Sequence, residues 1–175
     1  QGELKQFTLS LLRQADINID EIKVDIVPLS NQAKELVFTD SAGNPVPQGQ
    51  VKAVRIHAGH HVQSESGKEA QFFLDLNEES LGTKQLFWFS PILKEVFGKG
   101  KTMVIDELDR SLHPFLVQFL VELFHTPEIN QTNAQLIFTT HDTTLLSLDT
   151  FRRDQINFVE KDSHTAATEL YSLDE

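Results

Sequence analysis

The stretch Thr102-Met103-Val104-Ile105-Asp106-Glu107 decides the fold, because a short apolar run is followed at once by two acids. A run of this kind predicts a strand that is buried on both faces of a parallel sheet. Ligands of α/β folds lie at the carboxyl ends of such strands, so Asp106 and Glu107 are candidate site residues. One carboxylate there suits the water shell of Mg²⁺, and a second can orient or deprotonate an attacking water. The alternative is that the two acids only begin a polar loop.

A second apolar strand also ends in polar residues. Gln135 to Thr139 predicts a buried strand, and Thr140-His141-Asp142 follows it. If the two strands are neighbours, His141 lies at the same sheet edge as the acids. There it could donate a hydrogen bond to a terminal phosphate and position water. The alternative for a single histidine is that it caps the next helix or packs in a loop.

A third polar group precedes the first of these strands. Ser80 and Gly82 stand where a helix predicted over 79–97 begins. The exposed backbone N–H groups, the hydroxyl and the positive helix end together make an anion site. The alternative is ordinary N-capping by Ser80.

The remaining pattern predicts an α/β fold. Strands alternate with helices in the second half, which favours a mostly parallel sheet flanked by helices. The first half reads as a helix followed by a meander of antiparallel strands. We therefore expect one domain over 1–175, with the helix and antiparallel strands in 1–76 and the α/β part in 77–175. The predicted helices cover residues 4–15, 79–97 with a kink or break before Pro91, 114–124 and 143–148. The predicted strands cover residues 22–26, 36–38, 51–57, 71–76, 102–105, 135–139, 156–159 and 168–171.

The composition narrows the class of protein. Hydrophobic residues make up 39% and charged residues 23%, as in ordinary globular domains. The net charge of -11 makes the average surface repel nucleic acid and anionic lipid. No apolar run approaches the ~20 residues that span a membrane, and the chain has no Cys. We expect a soluble cytoplasmic protein with no membrane partner, and the missing initiator Met suggests a piece of a longer chain.

Together these residues resemble the ABC-type ATPases, in the branch related to chromosome-maintenance and DNA-repair ATPases. Residues 79–85 are similar to the signature motif of that family, with Gly-Thr in place of two glycines. Residues 102–107 resemble its Walker B strand, residues 108–109 its D-loop and residues 140–142 its switch histidine. The resemblance covers roughly residues 75–172. Its order and spacing imply the head of a P-loop NTPase that binds ATP and Mg²⁺.

The resemblance also implies a role for each matching residue. Asp106 would hold the Mg²⁺ shell, Glu107 would be the general base, and His141 would contact the γ-phosphate and orient water. Within the branch, residues 105–114 are similar to bacterial ATP-binding proteins of phage-defence and restriction-linked operons.

The other matching residues imply a dimer. Ser80, Gly82 and Lys84 would belong to the cofactor-binding set, acting on a nucleotide held mainly by a second ATPase subunit. Asp109 would communicate across that interface. The partners expected are therefore a second copy and an effector protein or nucleic acid.

The phosphate-binding loop is missing from the sequence. Its pattern is Gly-x-x-x-x-Gly-Lys-Ser/Thr, whose backbone N–H groups cradle phosphates. Gly100-Lys101-Thr102 has the right ending, but Glu95 stands where the first glycine is required. We expect the chain to begin after this loop and to hydrolyse ATP negligibly on its own.

Three alternatives stay open. The ATPase motifs could govern dimerisation without catalysis. The acids Asp106, Glu107 and Asp109 could form a metal-dependent nuclease centre, although this explains neither the Ser80 group nor His141. A zinc site is the third alternative, and a solvated strand end is the competing interpretation. The residues concerned are His57, His60, His61 and Glu65.

Overall fold

The computed structural model describes residues 2–28, 38–46, 52–63 and 69–174. The chain forms two compact units, residues 1–95 and 96–175. The expectation of a single domain stays a prediction. Within the described ranges, no helix is both long and apolar enough to cross a membrane. A cytoplasmic location also stays a prediction.

The first unit begins with a helix and continues with antiparallel strands, as the sequence predicts. Helix α1 spans Gly2–Gln14, and strands β1 (Glu21–Pro28), β4 (Lys52–Gln63) and β5 (Glu69–Asp75) form a sheet in the order β1-β4-β5. Strands β2 (Phe38–Thr39) and β3 (Pro45–Val46) form a short antiparallel pair. Residues 36–37 of the strand predicted over 36–38 lie outside the described residues.

The core of this unit follows from the apolar periodicity of α1. Leu12 is fully buried, and Ile19, Ile22 and Ala58 are nearly so. Gly59 lies beside Phe73 on the neighbouring strand, where an added Cβ would stand 2.7 Å from the ring. The sheet is therefore closely packed where β4 meets β5.

Helix α2 spans Leu81–Lys99 and is not broken at Pro91, although the sequence predicts a kink or break there. Proline cannot donate to the carbonyl four residues earlier, which belongs to Phe87. The Ser90 hydroxyl donates to that carbonyl oxygen at 2.7 Å. The orphaned acceptor is thus satisfied, which explains why the helix continues.

The second unit contains the parallel strand pair. Strand β6 (Thr102–Ile105) pairs in parallel with β7 (Gln135–Phe138), and helices α3 (Leu108–Ser111) and α4 (Pro114–His125) connect them. Strands β8 (Asn157–Lys161) and β9 (Thr168–Ser172) form an antiparallel hairpin. Among the strands described, only β6 and β7 pair in parallel. The sequence predicted a mostly parallel sheet, and the parallel part of the described structure is this two-stranded pair. A connection as short as that between β8 and β9 permits only antiparallel pairing, because a parallel pair needs a crossover of a dozen residues or more.

The parallel pair is buried on one face only. Met103 is buried, whereas Val104 is 72% exposed and its partner Ile137 is 57% exposed. The expectation of a strand buried on both faces is therefore wrong for β6. Apolar residues of α4, including Val117 and Leu120, supply the core of this unit.

Candidate functional site

Strands β6 and β7 are neighbours, so their carboxyl ends meet, which is the condition under which the sequence places His141 beside the acids. Ile105 is the register partner of Phe138, so Asp106 and Thr139 are the next residues on each chain segment. The Thr139 hydroxyl donates to Oδ1 of Asp106 at 2.5 Å and accepts the backbone N–H of Glu107 at 2.8 Å. One threonine side chain therefore holds both acids at the sheet edge.

Glu107 has a left-handed backbone, with φ 50° and ψ 56°. This conformation costs a non-glycine residue about 1–2 kcal/mol, and such strain persists only where neighbouring contacts maintain it. Those contacts are present: the N–H of Leu108 donates to the carbonyl of Thr139 at 3.0 Å, and that of Arg110 donates to the carbonyl of Glu107 at 3.0 Å. The strained residue is the predicted general base.

The Glu107 carboxylate lies between a cation and an imidazole. Arg110 Nη1 donates to its Oε2 at 2.8 Å, and Nε2 of His141 lies 3.9 Å from its Oε1. The Glu107 side chain is 38% exposed, while those of Arg110 and His141 are 80% and 85% exposed. Pairs this exposed are weak, so Arg110 and His141 hold the Glu107 carboxylate only loosely.

Asp109 links the segment after β6 to the segment after β7. Its Oδ1 accepts the backbone N–H of His141 at 3.2 Å. A hydrogen bond from the Thr140 side chain lowers the pKa of Asp109 below its ordinary value, and the N–H and charge of His141 act in the same direction. The structure thus brings Asp106, Glu107, Asp109 and His141 together.

Two residues that the sequence did not single out complete this group. Thr139 was predicted only as the last residue of a strand. The sequence feature that could have identified it is a hydroxyl side chain directly after an apolar run. Arg110 lies three residues after Glu107 on α3, a helical spacing at which opposite charges meet. By contrast, His113 has a structural role, because its Nδ1 accepts the Phe115 N–H and caps α4.

Ser80, Gly82 and Lys84 lie at the start of α2 in the first unit. The Ser80 Oγ accepts the N–H of Thr83 at 3.1 Å and lies 2.8 Å from the Thr83 hydroxyl. Lys84 Nζ donates to the carbonyl of Asn77 at 3.1 Å. Ser80 is therefore an N-cap, as the simpler interpretation of this motif predicts. If Thr83 donates in the hydroxyl pair, the Ser80 proton is free for an anion.

The acidic group fits part of what Mg²⁺ and ATP require. Among the described residues, Oδ2 of Asp106 has no hydrogen-bond partner, so it can accept from metal-bound water. The phosphate cradle does not fit, since the 175 residues contain no Gly-x-x-x-x-Gly-Lys-Ser/Thr. The described ranges also hold no group of three or more His and carboxylate side chains arranged to bind a metal directly.

The zinc alternative gains no support from the histidines of β4. His57 pairs with Asp25 at 3.5 Å and His60 with Glu79 at 2.6 Å. Residues 57 and 60 differ in parity along the strand, so their side chains point to opposite faces. Glu65 lies outside the described residues.

The family model "AAA domain, putative AbiEii toxin, Type IV TA system" matches residues 1–147. The chain belongs to this AAA family. This is a family of P-loop ATPases, and membership in it indicates nucleotide binding. No curated protein matches the chain.

The family match includes a part of the chain that the resemblance does not cover. The resemblance to ABC-type ATPases covers roughly residues 75–172, whereas the AAA family match includes the whole first unit. Helix α1 and the antiparallel sheet are therefore part of the family domain. The match also includes Asp106, Glu107, Asp109 and His141.

Proposed function

We propose that this AAA domain carries the hydrolytic half of an ABC-type ATPase head, of the chromosome-maintenance and DNA-repair branch. The observation that supports the proposal is the meeting of Asp106, Glu107 and His141 at one sheet edge, with Glu107 Oε1 3.9 Å from His141 Nε2. Hydrolysis of a phosphoanhydride needs a positioned water and a base beside it. Glu107 supplies the carboxylate that would act as the base, and His141 supplies a group that can position the water.

Each side chain has a chemical task in this proposal. Asp106 holds the water shell of Mg²⁺, which when bound neutralises charge on the phosphate oxygens. The Glu107 carboxylate accepts a proton from the attacking water. His141 orients that water and donates a hydrogen bond towards the terminal phosphate.

The Ser80 group serves a second ATPase subunit, in a dimer of the intact protein. Ser80, Gly82 and Lys84 contact a nucleotide that the partner subunit holds mainly through its own phosphate loop. Asp109, which is already hydrogen-bonded to the His141 backbone, couples that interface to hydrolysis. Because the 175 residues contain no phosphate loop, the chain alone binds ATP weakly and turns it over negligibly.

We further propose a role in bacterial defence, driving an effector protein or nucleic acid. The support is the similarity of residues 105–114 to phage-defence ATP-binding proteins, and the family description, which names the AbiEii toxin and a type IV toxin–antitoxin system.

The test is ATP turnover by the full-length protein that contains this domain. Glu107→Gln removes the base and should lower kcat by a factor on the order of 10²–10⁴. Glu128→Gln, the same change at an exposed residue of the second unit, is the matched control and should leave kcat unchanged. Equal rates for Glu107→Gln and the wild type would contradict the proposal.

One observation favours a non-catalytic module instead. The Arg110 guanidinium occupies Oε2 of Glu107 at 2.8 Å and competes with water for that oxygen. A dimerisation module would show ATP-dependent dimers by light scattering, with no turnover in either the wild type or Arg110→Ala. Faster turnover in Arg110→Ala would favour the enzyme. The nuclease alternative gains no support from the described residues.

A further inference from the structure

His60 and Glu79 form the most enclosed contact among the acid–base side-chain pairs whose geometry is described. Nε2 of His60 lies 2.6 Å from Oε1 of Glu79, and the two side chains are only 17% and 8% exposed. The imidazole also stacks on Phe72, with ring centroids 5.1 Å apart and planes 15° apart. Both the position and the plane of the imidazole are therefore fixed.

The contact joins the three-stranded sheet to the turn that precedes α2. His60 lies on β4, the middle strand of the three-stranded sheet, with Phe72 as its partner on β5. Glu79 directly precedes Ser80, and its own N–H donates to the carbonyl of Leu76 at 3.3 Å. The start of α2 is thus tied to the sheet through one side-chain hydrogen bond.

The hydrogen bond between His60 and Glu79 stabilises the turn more than a pair of exposed side chains would. A carboxylate that is nearly buried must keep a donor, because an unpaired one loses its hydration without compensation. His57 provides a contrast on the same strand. It lies 3.5 Å from Asp25, and its side chain and that of Asp25 are 27% and 60% exposed.

We propose that His60 is a positioning residue for the anion-binding turn at Ser80. Through Glu79 it sets where the Ser80 hydroxyl and the first N–H groups of α2 lie, and so how this turn meets the terminal phosphate on the second subunit. The functional part of this inference rests on the ATPase function proposed above. The positional part does not.

The positional part is tested on the 175-residue chain by NMR of the backbone amides of Ser80, Gly82 and Thr83. His60→Phe keeps the ring stack but removes the donor, and should shift and broaden these amide resonances. His60→Gln keeps a donor and should restore them. His57→Phe, the same substitution three positions earlier on β4, should leave them unchanged. Unmoved amides in His60→Phe overturn the proposal.

His60→Asn replaces His60→Phe if the latter does not fold, because its amide is polar but too short to reach Glu79. It should shift the same amides. If it does not, or if His57→Phe shifts them equally, the proposal is overturned.

The functional part is tested by ATP turnover of the full-length polypeptide. His60→Phe should lower kcat on the order of tenfold to a hundredfold while KM for MgATP changes little, because the main phosphate cradle belongs elsewhere. His60→Gln should recover most of the rate. A loss that His60→Gln does not recover overturns a positioning role. If the wild type itself shows no turnover, the proposed ATPase function fails, and the amide shifts still decide the positional claim.

Discussion

Thr139→Val tests the architecture of the acidic site most directly. The substitution keeps the shape of the side chain and removes one hydroxyl. That hydroxyl donates to Asp106 at 2.5 Å and accepts from the Glu107 N–H at 2.8 Å. It is also the only side-chain contact, among the described residues, that joins both acids to β7.

The expected loss of stability in Thr139→Val follows from these two hydrogen bonds. A hydrogen bond to a charged acceptor contributes about 1.5–3 kcal/mol and a neutral one about 0.5–1.5 kcal/mol. Thr139 is exposed, so water replaces much of each bond when the hydroxyl is lost. We therefore expect the free energy of unfolding to fall by about 1–2 kcal/mol, near the lower end of these ranges. The strained backbone of Glu107 should also relax once its N–H loses its acceptor.

Two measurements check this expectation on the 175-residue chain. Urea unfolding followed by circular dichroism gives the change in stability, and hydrogen exchange of the Glu107 amide reports the lost acceptor. Thr139→Ser keeps the hydroxyl and should behave as the wild type. Thr143→Val, at an exposed threonine in the same unit, controls for the change of residue type. A Thr139→Val stability within about 0.5 kcal/mol of the wild type, with unchanged exchange at Glu107, would refute the reasoning.

Two further predictions concern backbone conformation and pH. Gly100→Ala should destabilise the chain by more than about 1 kcal/mol, since Gly100 has φ +60° and an added Cβ would stand 2.7 Å from the Thr132 carbonyl oxygen. Gly98→Ala meets open space in α2 and should instead stabilise by about 0.5–1 kcal/mol. Urea unfolding of the two variants should therefore show changes of opposite sign, and equal signs would contradict one of the two expectations. The folded state lowers the pKa of Asp109 from its ordinary value of 3.8. Its contribution to stability is therefore fully present above pH 3.8 and is lost as the pH falls through the lowered pKa of the folded state. Asp109→Asn should flatten the acid-side decline of stability, and an unchanged slope below about pH 4 would show that Asp109 does not cause it.

Local patterns were enough to predict most elements. The helix predicted over 4–15 is α1, and the predicted strands 102–105 and 135–139 are β6 and β7. These predictions succeed because apolar periodicity and turn residues act over a few neighbouring positions. A break at Pro91 does not occur, and the local reason also lies in the sequence: the neighbouring Ser90 hydroxyl satisfies the orphaned carbonyl.

Pairing between distant segments was less predictable. The strand predicted over 156–159 was part of the strand–helix alternation that predicted a parallel layer, but it pairs with the last strand as an antiparallel hairpin. Apolar residues in β6 suggested burial on both faces, yet Val104 is largely exposed. The sequence pattern of a strand shows that it can be buried, and only the elements packed around it determine whether it is.

The candidate site divides in the same way. From its residues alone, the sequence determined that Asp106 and Glu107 end an apolar strand and that His141 follows another. It placed them at one edge only on the condition that the two strands are neighbours, which the structure shows. Only the tertiary structure decided that Thr139 holds both acids, that Asp109 accepts the His141 N–H, and that His60 reaches Glu79. These contacts depend on strand register and on the path of the chain between segments. Both are set by packing across the whole unit, which no local run of residues encodes.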